Sequence, residues 1–199
     1  KKERKKERKK ERKKERKKER KKERKKERKK EMQIKTVHEN PWYSITEEKF
    51  LRHDGKKNTF YVINKNDAVI ILPIASDDSI YLIKQHRYPT KTWGWELPAG
   101  STDGEQSVRA AKRELQEETG LHAIHWEQIA TIHLTPGMCN STTYIFIAKK
   151  LTQTNINEQD KEGIVDCKSF SIQKIKEMIV AGEIHDAPTI AALARALWV

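Results

Sequence analysis

Apolar positions along the chain follow two different periods. Residues 60–64 and 69–74 are rich in β-branched and aromatic side chains. Turns at Asp54-Gly55 and Asp77-Asp78-Ser79 flank these stretches, so both predict strands. Residues 80–84 continue the pattern and are expected to pair with 69–74 as a hairpin. Residues 90–104, with Trp93, Trp95, Pro98 and two glycines near the end, have the make-up of a loop. The period then changes. Val108, Ala111, Leu115 and Thr119 recur at i+3 and i+4, which predicts a helix over 106–119 with one apolar face, and Gly120 stands where a left-handed C-cap is needed. Strands are expected at 129–134 and 143–148, followed by a polar loop at 151–163. Ser171 opens a second helix, with Ile172, Ile175 and Ile179 on one side and Gly182 at its end. Asp186 is placed as the N-cap of a third, with Pro188 in its first turn and its end near Trp198. This alternation predicts an α/β domain with helices on both faces of a mixed sheet.

Charge divides the chain unevenly. Of its 199 residues, the first 31 are seven copies of Lys-Lys-Glu-Arg followed by Lys29, Lys30 and Glu31. They hold 23 of the 42 Lys and Arg and 8 of the 29 Asp and Glu. The remainder carries 19 basic and 21 acidic side chains, so the net charge of +13 belongs to the repeat. A period of four without one apolar residue has nothing to bury, and Met32 follows it directly. Residues 1–31 therefore read as an added segment, with a polybasic arm for nucleic acid or acidic lipid as the rival reading. For the globular part no electrostatic case for nucleic-acid binding exists. No apolar run is long enough to span a bilayer, and no stretch has the order of a signal peptide. Cys139 and Cys167 fit no CxxC spacing, which suits two thiols in a reducing, cytoplasmic compartment.

The predicted helix at 106–119 carries the candidate chemistry. Glu114 and Glu118 lie four apart and stack on one face, with Glu117 beside them. Carboxylates on adjacent turns repel unless a cation neutralises them, and Mg²⁺ takes carboxylate oxygens. Arg113 is four residues from Glu117, so an ion pair can orient one carboxylate. The bland reading is a solvated acidic helix face. The histidines His38, His53, His122, His125, His133 and His185 form no tight ligand spacing.

Glu105, Arg113-Glu114-Leu115, Glu117-Glu118 and Gly120-Leu121 stand at the spacing of the Nudix box, and the sequence resembles the Nudix hydrolases there. Its departure is at the start, where four residues rather than five separate Gly100 from Glu105, shortening the loop into the helix. Gln85-His86-Arg87-Tyr88-Pro89, Trp95-Glu96-Leu97-Pro98-Ala99-Gly100, Gly182-Glu183-Ile184-His185-Asp186 and Pro136 resemble the ADP-ribose pyrophosphatase branch. The resemblance implies an α/β/α sandwich with a mixed sheet, preceded by an antiparallel β element. Its expected organisation is a β element over 32–80, open to exchange in a homodimer, and a catalytic domain over 81–199. It implies hydrolysis of a nucleoside diphosphate sugar to a nucleoside monophosphate and a sugar phosphate, with Mg²⁺, or Mn²⁺ in its place. The implied metal ligands are Glu114, Glu117, Glu118 and the Ala99 carbonyl. Glu105 and Arg113 are placed in the catalytic set and expected to pair, with Glu105 reaching the metal through water as the alternative, and Arg87 is expected to contact the diphosphate. Glu162 is the expected general base, with Glu158 and Asp160 as substitutes. Trp42 and Phe60 resemble positions that stack the nucleobase, against an equal reading as packing residues. Trp126 and Trp198 are expected to pack. Two other readings stay open: a nucleotide-sugar-binding regulator without catalysis, and a nucleic-acid binder acting through residues 1–31.

A chain starting at Met32 should keep full activity and thermal stability. Measuring both with and without residues 1–31 checks this, and a large loss of either would show that the repeat packs on the domain.

Overall fold

The computed structural model describes Lys14, Lys18, residues 33–154 and residues 156–197. The expectations for Trp198 and for the repeat beyond Lys14 and Lys18 lie outside these residues. The chain divides into two compact units, Lys1–Asn64 and Lys65–Val199. The expected boundary at 80/81 falls inside the second unit, because residues 68–73 supply a central strand there. Among the described residues no helix is long and apolar enough to cross a membrane.

The first unit holds a three-stranded sheet in the order β1-β2-β3: β1 (Gln33–Glu39), β2 (Tyr43–Leu51) and β3 (Lys57–Lys65). β1 and β2 are antiparallel, with a register shift between Thr36 and His38. Asn40 fixes the turn between them: its Oδ1 accepts from the backbone N–H of Trp42 at 2.9 Å and of Tyr43 at 3.0 Å. No described side chain of this unit is fully buried. Ile34, Val37, Trp42, Tyr43, Phe60 and Tyr61 are exposed.

The second unit contains two sheets. One has the order β7-β4-β9-β8, built from β4 (Ala68–Pro73), β7 (Ala99–Ser101), β8 (Leu121–Ile132) and β9 (Thr143–Gln153). The other has the order β10-β5-β6, from β5 (Ile80–Arg87), β6 (Thr92–Glu96) and β10 (Ile164–Phe170). β4 runs parallel to β9 and antiparallel to β7, so the sheet is mixed as expected. The expected hairpin between 69–74 and 80–84 does not form. A single bridge, Ile74 to Ile80, joins the two stretches before they diverge into different sheets. β4 is apolar on both faces, so it sits in the interior of its sheet, hydrogen-bonded to β7 and β9 at its edges and covered by a core on each face. Nor is 90–104 a plain loop: β6 pairs with β5, and β7 with β4.

β4 alternates between two cores. Ile70 and Leu72 face a cluster that includes Leu82, Trp95, Leu97 and Ile145. This core is closed by Ile175 and Met178 of α3 (Ile172–Val180) and Ala192 and Leu193 of α4 (Ala187–Leu197). Val69 and Ile71 face the opposite cluster, closed by Ala110, Ala111 and Leu115 of α1 (Ser107–Thr119). Helices thus cover both sides of the sheet. Gly120 ends α1 at φ 68°, and its N–H bonds the Gln116 carbonyl, the left-handed cap anticipated from the sequence. Ser171 caps α3 by accepting from the Lys174 N–H, and Asp186 accepts from the Thr189 N–H at 2.8 Å. The expected 151–163 loop carries regular structure at both ends: β9 runs to Gln153, and α2 (Gln159–Glu162) adds one short turn of helix. Trp126 is half-buried, donates to the Ala123 carbonyl and meets Phe146 edge-on, which makes it a packing residue.

Ile71 is fully buried between β4 and α1. Replacing it with Ala should lower unfolding stability by about 2–5 kcal/mol, read as a fall in the urea midpoint.

Candidate active site

Helix α1 splits its residues between two environments. Ala110, Ala111 and Leu115 sink into the core. Arg113, Glu114 and Glu118 make their contacts with β7 and the residues beside it. The Ala99 N–H donates to Glu118 Oε2 at 2.8 Å. Gly100 lies so close to Glu114 that a Cβ there would sit 2.1 Å from its carboxyl carbon. Any side chain at position 100 would therefore push the carboxylate out of place. The shortened entry loop is accommodated by a tight turn, with Asp103 and Gly104 both at positive φ and the Glu105 N–H bonded to the Thr102 carbonyl.

Arg113 organises the acidic residues around it. Its Nε donates to Glu105 at 3.0 Å, and its Nη1 to Glu114 at 2.8 Å and Glu117 at 2.9 Å. Its Nη2 donates to the Ser101 carbonyl at 2.9 Å. Partial burial works against the guanidinium charge, but the carboxylates of Glu105, Glu114 and Glu117 outweigh it and raise its pKa.

Glu114 and Glu118 are both buried. Burial raises the pKa of Glu114, and Arg113 offsets this only in part. Burial lifts Glu118 well above the ordinary carboxylate range, against the lowering effect of the Ala99 N–H. The charge of Glu162 raises both groups further, so α2 brings Glu162 within electrostatic reach of the pair. That placement has a structural cause. The Glu158 N–H bonds the Glu117 carbonyl at 2.7 Å, and Gln159 Nε2 bonds the Glu118 carbonyl at 2.9 Å. Glu158 itself pairs with Lys161 at 2.8 Å.

A second cluster lies on the β5–β6 hairpin. Arg87 Nη2 and Nε both donate to Glu96 Oε2, at 2.6 and 3.1 Å. Glu96 is buried, and Gln85 Nε2 reaches the same oxygen at 3.4 Å. Desolvation opposes the Arg87 charge, yet Glu96, Asp186 and Glu118 together raise its pKa. The effect of Glu118 ties this cluster electrostatically to α1.

Among the described residues no group of three or more His, Cys, Asp or Glu side chains is gathered tightly enough to hold a metal ion as it stands. The donor chemistry nevertheless suits a hard divalent cation. Two carboxylates one helical turn apart are desolvated together, an arrangement that a cation relieves.

The structure thus joins Glu105, Arg113, Glu114 and Glu117 by direct hydrogen bonds and Ala99 to Glu118 by another, with Glu114, Glu162 and Arg87 coupled to Glu118 through charge. Trp42 and Phe60 belong to the first unit, where both are exposed. Sequence reasoning left Glu96 and Gln159 without roles. A cross-strand signal for Glu96 existed, since β5 and β6 place it on the face that carries Arg87. No sequence signal marked Gln159, whose partner is a backbone carbonyl.

The NUDIX domain profile matches residues 64–193. The chain belongs to the Nudix family. This Nudix hydrolase is 28% identical over 142 residues to the ADP-ribose pyrophosphatase of Bacillus subtilis (strain 168), covering 70% of this chain and 77% of the relative. It is 26% identical over 162 residues to the ADP-ribose pyrophosphatase of Mycobacterium tuberculosis (strain ATCC 25618 / H37Rv), covering 80% and 78%. The methanol dehydrogenase activator of Bacillus methanolicus is 26% identical, covering 70% and 77%. A crystal structure of an ADP compounds hydrolase shares the fold, with a TM-score of 0.73 at 21% identity, covering 83% of this chain and 92% of that one. These relatives place the Nudix hydrolase in the ADP-ribose pyrophosphatase branch.

The raised pKa of Glu118 has a consequence for stability. A carboxyl whose folded pKa lies above its ordinary value of 4.5 favours folding while protonated, and this contribution is lost as pH rises through the folded pKa. Glu118→Gln keeps an acceptor for the Ala99 N–H without the charge. In chelator, its Tm should match the parent's at pH 4 and exceed it once the pH has risen above the ordinary carboxylate range, with about 2–4 °C for each kcal/mol in a domain of this size. A constant difference from pH 4 to pH 8 would contradict the assignment.

Proposed function

We propose that this Nudix hydrolase cleaves the diphosphate of ADP-ribose or a related nucleoside diphosphate sugar, giving a nucleoside monophosphate and a sugar phosphate. The observation that supports this most is the buried pair Glu114 and Glu118, set against Ala99-Gly100 with Glu162 and Arg87 in electrostatic reach. A diphosphate resists hydrolysis because its anionic oxygens repel a nucleophile. Glu114, Glu118, Glu117 and the Ala99 carbonyl would hold Mg²⁺, or Mn²⁺ in its place. Such an ion, when bound, neutralises phosphate charge and acidifies water.

The chain's own residues supply the rest. Arg87 presents its guanidinium to a phosphoryl oxygen, while Glu96 fixes its Nε–Nη2 edge and so its orientation. Arg113 holds Glu105, Glu114 and Glu117 in one arrangement, which limits their mutual repulsion. Glu162 takes the proton from the attacking water as the new P–O bond forms and the bridging P–O bond breaks. Trp42 and Phe60 offer exposed aromatic faces to a nucleobase. A three-stranded sheet with no fully buried side chain among its described residues gains most from a second copy of the chain, which supports a homodimer. The two free thiols suit a reducing compartment, and the reading places the protein in the cytoplasm.

Product analysis over a panel of ADP-ribose, GDP-mannose and other sugar nucleotides with Mg²⁺ tests this reading. AMP and ribose 5-phosphate are the expected products from ADP-ribose. Glu114→Gln and Glu118→Gln should each lower kcat by about 10²–10⁴-fold with the fold intact. Near-parental rates in both variants would remove the carboxylate pair from the mechanism. No cleavage across the panel would remove the substrate class.

A further inference from the structure

The carbonyls at the end of α1 have no partners within the helix and must find them elsewhere. The segment that follows β9 supplies these partners. The Glu158 N–H takes the Glu117 carbonyl, and the Gln159 side chain takes the Glu118 carbonyl. Thr154 takes the Gly120 carbonyl through both its N–H, at 2.8 Å, and its hydroxyl, at 2.9 Å. Glu117 and Glu118 are therefore bonded twice over: their side chains belong to the acidic site, and their backbones anchor the segment that carries Glu162. At its far end that segment is closed by Gly163 in the left-handed region and by Ile164, which is buried and paired with Gln85 of β5. Glu162 itself is exposed and sits between these two anchors.

We infer that Gln159 is a positioning residue, which locks the helix of the buried carboxylates to the turn that carries Glu162. The inference rests on the reading of Glu162 as general base. Gln159 is the residue of α2 whose side chain makes this link, and its amide is a donor of the right length for a carbonyl on the neighbouring helix. Without that hydrogen bond, the turn is tied to α1 through the Glu158 backbone contact and, farther upstream, the Thr154 bonds to Gly120, and Glu162 is less closely held relative to Glu114 and Glu118. Loss of positioning of about 1 Å costs about 100-fold in rate, without direct contact between the altered residue and the substrate.

The full-length protein with ADP-ribose and Mg²⁺ provides the test. Gln159→Met keeps the length and removes the donor, and Gln159→Asn keeps the amide but shortens its reach. Both should lower kcat by about 10–100-fold with KM little changed. Combined with Glu162→Gln, Gln159→Met should add no further loss, because the group it positions is already disabled. Backbone amide exchange at residues 158–163 should rise in Gln159→Met while exchange in β4 and α1 stays at the parental level. Parental kcat in both Gln159 variants, or a Gln159→Met loss that multiplies fully with that of Glu162→Gln, would overturn the positioning role while leaving Glu162 as base. A Glu162→Gln protein with parental kcat would overturn both together. If Gln159→Met unfolds, Gln159→Asn decides the question on the same readouts.

Discussion

Everything at the acidic site depends on burying two like charges side by side on one helix. Such a pair is unfavourable alone, and the surrounding structure consists largely of groups that make it tolerable. Arg113 gathers three carboxylates, the Ala99 N–H caps Glu118, and Gly100 leaves the space that Glu114 fills. The remaining imbalance is what a divalent ion or a proton relieves. A site that is electrostatically incomplete by itself is well suited to binding a polyanion only together with its counterion.

That helix can tolerate the strain because its opposite face is so well held. Ala110, Ala111 and Leu115 are fully buried against β4, β8 and β9. Two small alanines let the helix approach the sheet closely, which brings Glu114 and Glu118 against β7. Core packing and the geometry of the acidic site are thus set by one element, with apolar contacts opposing the repulsion on the other side.

The fold was legible where periodicity or turn chemistry was strong. Helix α1, its Gly120 cap, the Ser171 and Asp186 caps and the helices on both faces follow from residue spacing alone. The pairing of β4 did not, because a strand that is apolar on both faces carries no alternation to say which neighbour it takes. Strands β6 and β7 were hidden by Pro98 and the glycines around it, although Trp93 and Trp95 are good strand formers. At the site, Glu114, Glu118 and the Arg113–Glu117 pair could be seen because they are helical neighbours. Family resemblance marked the Ala99 carbonyl as a metal ligand but not the hydrogen bond from its N–H to Glu118. Glu96 needed the register of the β5–β6 hairpin, which was not read, and Gln159 stayed silent because its partner is a backbone carbonyl.

The parallel pairing of β4 with β9 joins residues about 75 positions apart. During synthesis, β4 and α1 leave the ribosome well before the strand that completes their sheet. Until residue 148 emerges, Val69 and Ile71 lack Phe146 and Ala148 to pack against, so the platform beneath α1 is unfinished. The long loop that must close makes this a late folding step. At about 5–20 residues per second, the acidic helix waits several seconds in a nascent state that a chaperone could recognise. The buried carboxylate pair thus gains its finished platform only once β9 has been made, and a chain that stops short of it lacks part of the sheet on which α1 rests.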